Sequence, residues 1–103
     1  MIGMEAEVKS LGDVANDMVA FFPADTIAET DGMVVNGATW RRYSIMLPSF
    51  DSRVAVVMRE IDGVTFTIYL QAEESQFESL HDTVFVPFVE SLDLTAILAA
   101  PNS

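Results

Sequence analysis

At 103 residues the chain has the length of one domain, whose single core buries about two thirds of the unfolded surface. Half of it is apolar, with seven Phe, two Tyr and one Trp, a composition that excludes a disordered chain. Sixteen acids against five bases give a formal charge of -11, which repels phosphate backbones and anionic membranes and argues against nucleic-acid binding.

Acidity of this kind commonly serves solubility, and the remaining use is attraction of a basic partner. The chain has no cysteine, so disulfides, thiolate metal ligands and a cysteine nucleophile all drop out, and the redox compartment stays open. No run approaches the roughly 18 apolar residues of a membrane span, so no membrane insertion is expected. The expected organisation is a single domain over 1–103, with an ordered core about 10–95.

Met1 to Val8 shows no strong period. From there Leu11, Val14, Ala15, Met18, Phe21 and Phe22 recur at helical steps, which predicts a helix near 10–22. Ser10 with Asp13 resembles an N-terminal cap, and Pro23 marks the stop. Thr26 to Thr30 and Met33 to Val35 read as short strands around an Asp31-Gly32 turn, and Asn36-Gly37 reads as a second turn. Ala38 to Leu47 alternates as a strand. A loop over 48–52 leads to a strand over 53–61, and Asp62-Gly63 turns directly into another over 64–72.

A two-residue type I′ loop at Asp62-Gly63 sets Ile61 opposite Val64, Arg59 opposite Phe66, Val57 opposite Ile68 and Ala55 opposite Leu70. That is the expected core face, joined by Leu11 of the helix. The other face carries Val54, Val56 and Met58, and a five-residue loop at 48–52 brings Trp40, Arg42 and Met46 beside them and Tyr69. A sheet with one solvated face alternates cleanly, and Val54 to Met58 does not, so both faces are expected to be covered.

After the sheet, 73–81 has helical composition, and Asp82 is placed to cap a further helix through about Leu92, with Pro87 as the objection to it. The tail from Ala96 reads as a frayed end. The fold class is therefore α+β: an antiparallel sheet of about four strands, one N-terminal helix and one or two C-terminal helices, in an α/β/α sandwich.

Chemistry is scarce. His81 is the only histidine, and beside Asp82 near a helix end it has an ordinary electrostatic role. No nucleophile elbow, phosphate loop or zinc helix motif occurs. The carboxylate pairs Glu73 with Glu74, Glu29 with Asp31 and Asp13 with Asp17 match no calcium loop. Four of the five bases, Arg41, Arg42, Arg53 and Arg59, fall in strands. Trp40 with Arg42 makes a candidate stacking and charge-pairing surface, and the structural use of Arg42 is a diagonal reach to Glu60.

The segments Glu60-Ile61-Asp62-Gly63-Val64-Thr65-Phe66-Thr67-Ile68, Phe77-Glu78-Ser79-Leu80 and Val84-Phe85-Val86-Pro87-Phe88-Val89-Glu90-Ser91-Leu92 are similar to the C-terminal part of the PsbP-like superfamily, over residues 10–92. The resemblance implies an α/β/α sandwich used for docking and assembly instead of chemistry. Members of that superfamily begin with additional strands that the sequence does not signal.

The expectation is a non-catalytic protein-interaction or assembly domain without cofactor or metal, either an accessory domain of a larger protein or a homo-oligomer, acting on a protein partner or on its own copies. Its candidate interaction face is Trp40, Arg42, Met46, Val56, Met58 and Tyr69. The alternative is a small-molecule carrier with an apolar pocket between sheet and helices.

Overall fold

The turn at Asp62-Gly63 organises the centre of the sheet. Asp62 (φ 52°) and Gly63 (φ 79°) both occupy the left-handed region that a type I′ hairpin demands. They join a strand over Ser52–Ile61 (β4) to one over Val64–Glu73 (β5), with Ile61 opposite Val64 and Val57 opposite Ile68 as the turn geometry requires. A Cβ at Gly63 meets nothing within 4 Å, so Gly63→Val tests backbone conformation alone. It should lower the stability by about 1 kcal/mol or more, read from the denaturant midpoint, and an unchanged midpoint would contradict this turn.

The computed structural model of the chain describes residues 1–99. Five antiparallel strands lie in the order β1-β5-β4-β3-β2, where β1 is Ile2–Glu7, β2 is Ile27–Val35 and β3 is Ala38–Leu47. The fold is α+β as expected, with one strand more than the sequence signalled. β1 is the addition: it pairs with β5 from Ile2 opposite Leu70 to Glu7 opposite Thr65. As an edge strand it needs little apolar alternation, so its hydrophobic signal is weak.

β2 also differs from expectation, because Asp31-Gly32 does not break it. Thr30 faces Arg42 and Met33 faces Trp40, so one extra residue is accommodated as a bulge within a continuous strand. Arg42 Nε donates to the Asp31 carbonyl at 2.9 Å and to Thr30 Oγ1 at 3.1 Å, satisfying the bulged backbone.

The two faces of the sheet are covered by different helices. A helix over Leu11–Phe21 (α1) starts at Ser10, whose hydroxyl accepts from the Asp13 amide at 3.2 Å, and stops where Phe22, before Pro23, turns extended. It packs Val14 and Ala15 on Tyr43, Ile45, Val56 and Met58. On the opposite face, Phe66, Ile68, Leu70 and Val57 are covered by Phe77, Phe85, Val89 and Leu94 from the C-terminal segments. Leu11 therefore belongs to the α1 layer and not with Phe66, as the sequence had suggested.

The C-terminal layer runs as one helical path, Glu74–Leu80 (α2), a π-helical turn at His81–Phe85, and Val86–Ser91 (α3). Pro87 lies in the first turn of α3, where its missing N–H costs little, and the wider π turn precedes it. Asp82 is inside this path and caps no new helix. A final short helix, Leu94–Ala99 (α4), is capped by Asp93, whose carboxylate accepts from the Ala96 amide at 3.0 Å. The tail expected to fray from Ala96 is thus helical up to Ala99, and 100–103 lie outside the described residues.

Candidate functional site

A cleft of about 590 Å³ opens on the α1 face of the sheet. It exists because α1, only 11 residues long, is too narrow to roof five strands. Its floor is Val54, Val56 and Met58 on β4 with Thr67, Tyr69 and Gln71 on β5; one wall is α1, through Val14, Met18 and Phe21. The rim carries Glu5 and Glu7 from β1 and Asp17 from α1.

The start of α1 is tied down and its far end is not. The Leu11 amide donates to Glu60 Oε1 at 2.7 Å, and the buried Thr65 hydroxyl donates to the Lys9 carbonyl at 2.8 Å. The last turn has no basic residue facing its carbonyls, and Phe21 is 82% exposed at the cleft mouth, edge-on to Phe22. A large apolar ring left in water beside an apolar floor marks a surface that loses water favourably when covered.

Tyr69 is held low by Gly3. The two residues face each other across β1 and β5, and a Cβ at Gly3 would stand 2.3 Å from both Cζ and Oη of the tyrosine. Glycine thus lets the ring lie over β1, where it forms part of the cleft floor. A larger residue would drive it inward.

Charge around the cleft is one-sided. Lys9 forms an ion pair with Asp17, whose hydrogen bond and charge hold the ammonium above the ordinary lysine pKa. Farther along the same face Arg41 binds Glu29 through Nε at 2.6 Å, which holds Glu29 below the usual carboxylate range and raises Arg41. The pair's stabilisation is present above the ordinary glutamate pKa and is lost as pH falls through the lowered value, modestly because both groups are solvated. Burial pushes the Tyr43 phenol up.

The six residues of the expected interaction face divide between the two layers. Val56, Met58 and Tyr69 line the cleft. Trp40, Arg42 and Met46 lie on the opposite face, where Trp40 is buried in the main core and Met46 is exposed. The cause is one residue of register. Leu47 pairs with Ser52, not Arg53, because Pro48–Phe50 makes a tight 3-10 turn closed by Asp51 in the left-handed conformation, and the connection is four residues instead of five. A one-residue shift sends every side chain of the strand to the other face.

Arg42 consequently faces Val57 and cannot reach Glu60, which bonds α1 instead. It borders a smaller pocket of about 180 Å³ with Thr30, Ser44, Phe77 and His81. His81 bonds the neighbouring Asp82 through Nδ1 at 3.1 Å and stands between the Phe77 and Phe85 rings. No group of three or more potential metal ligands occurs among the described residues, and no helix of the described residues is long and apolar enough to cross a membrane.

Glu5 and Glu7 line the cleft from a strand that the sequence does not signal, and Gly3 of the same strand makes room for the Tyr69 ring. The apolar stripe of α1 was legible, and so was the second apolar face of β4. Their incomplete overlap is what makes a cleft. Comparison of the chain with family models, with curated proteins and with solved structures finds no match.

Proposed function

We propose that the chain works by binding and not by chemistry, as an interaction domain that takes an apolar segment of another protein into the cleft beside α1. The observation that carries this reading is the cleft itself. It has the volume of a ligand site, a floor that is apolar along β4 through Val54, Val56 and Met58 and carries Thr67, Tyr69 and Gln71 along β5, and an exposed phenylalanine at its mouth. The six-residue face expected from the sequence is not retained as one surface; only its Val56, Met58 and Tyr69 enter the site.

A heterotypic partner fits better than a second copy. Two copies meeting at this cleft would oppose their acidic rims, each on a chain of formal charge -11. The carrier reading draws on the same cavity, whose volume suits a small apolar molecule equally well.

The test is a neutral apolar dye, Nile red, titrated into the folded protein, with Thr67→Phe as the variant that fills the floor from an incompletely buried position. Saturable one-site binding to the wild type is expected. It should weaken at least tenfold in Thr67→Phe at an unchanged melting temperature. Absence of saturable binding to the folded wild type would refute the cleft as a binding site.

A further inference from the structure

We infer that the segment accepted by the α1 cleft is cationic and amphipathic, with large apolar side chains for the floor and Lys or Arg for the rim. This rests on the cleft being a binding site, and adds to it the chemistry of the occupant.

The argument is charge complementarity around an apolar floor. Glu5 and Glu7 project from the same side of β1, two residues apart, as they face Thr67 and Thr65 on β5. Asp17 stands across the cleft on α1 in its ion pair with Lys9, so the unpaired negative charge lies along the β1 side of the floor. Neither β1 acid has an ion-pair partner among the described residues. Of the basic side chains on this face, Lys9 is held by Asp17 and Arg41 by Glu29, while Arg42, Arg53 and Arg59 lie on the opposite face, opposite Val57, Ala72 and Phe66.

An anionic or acidic segment entering here would meet the two unpaired carboxylates of β1, with the Met1 ammonium, bonded to the Gln71 carbonyl, as the one cation beside them among the described residues that no acid holds. A neutral apolar segment would satisfy the floor and leave the rim unused. A segment with basic residues flanking its apolar ones satisfies both, and is also drawn in by the field of the whole chain.

Three labelled peptides of 18 residues share one leucine face and carry Lys, Gln or Glu on the other; their affinities for the intact protein are compared by fluorescence anisotropy at low and high salt. The Lys peptide should bind about tenfold tighter than the Gln peptide, the gain that two or three exposed ion pairs supply together. The Glu peptide should bind weakest. The advantage should shrink at high salt as the screening length falls. Glu5→Gln/Glu7→Gln should remove most of it, and Asp17→Asn, which also releases Lys9 into the rim, should do the same if the β1 variant folds poorly. Glu78→Gln/Asp82→Asn makes the same change in net charge on the α2 side and should leave the advantage intact.

Equal affinity for the Lys and Gln peptides overturns the inference while leaving the cleft as an apolar site. An equal loss in the α2-side variant overturns it too, since the attraction would then be the undirected field of an acidic chain. Nile red binding with no peptide binding replaces the peptide with a small apolar ligand, and failure of dye and peptides together removes both proposals.

Discussion

Ile68→Asp is expected to abolish cooperative folding at neutral pH. Ile68 has no exposed surface, sits in the middle of β5, and has Val57 on one side and Met4 on the other as its direct strand neighbours. Neither offers a hydrogen-bond donor from its side chain, and above the strand lie Phe77, Phe85 and Val89. A carboxylate without a partner in such a place costs several kcal/mol, against a total stability of about 5–15 kcal/mol for a domain of this kind.

Met58→Glu supplies the contrast. Met58 is equally buried, yet it belongs to the α1 layer and borders the cleft, so a longer acidic side chain has a route to water. We expect that variant to fold as a monomer with a lowered melting temperature. Circular dichroism and sedimentation of the two variants decide the matter. A folded Ile68→Asp protein, or a Met58→Glu protein as unfolded as Ile68→Asp, would contradict the difference between the two layers.

Phe66→Ala should cost about 3–5 kcal/mol. The ring is 1% exposed and stands opposite Arg59 on β4 and Ala6 on β1, within the cluster closed by Phe85 and Val89. Truncation removes the transfer energy of a phenyl ring and leaves a cavity between a sheet and helices that are each fixed by other contacts. For a domain of this length the melting temperature should fall by roughly 15 °C or more. A loss below about 1 kcal/mol in urea unfolding would mean that the C-terminal layer is not packed on this face.

Much of the local structure was determined by the sequence alone. The Asp62-Gly63 hairpin and its pairing follow from two residues that tolerate positive φ, which fix register for the strands on either side. The start of α1 follows from Ser10 and its end from Pro23, and the apolar run of Val54 to Met58 required a sheet covered twice. In each case the interacting residues are neighbours in sequence, or the signal is an apolar period that needs only one strand or helix to be seen.

What only the tertiary structure decided involves partners far apart or single-residue geometry. β1 is ordered by β5, with partners running from Ile2 opposite Leu70 to Glu7 opposite Thr65 across most of the chain, and its own residues carry no alternation strong enough to announce it. The turn from Pro48 to Asp51 holds one residue fewer than the spacing suggested, because Asp51 adopts φ 48° without being glycine, and this put Trp40 in the core instead of beside Met58. The cleft depends on both. Its unpaired acids come from β1 and its side at Ile45 and Leu47 from the face that the β3–β4 register gives β3, so it arises where the width of a sheet exceeds the width of one helix, a quantity that no local stretch of sequence encodes.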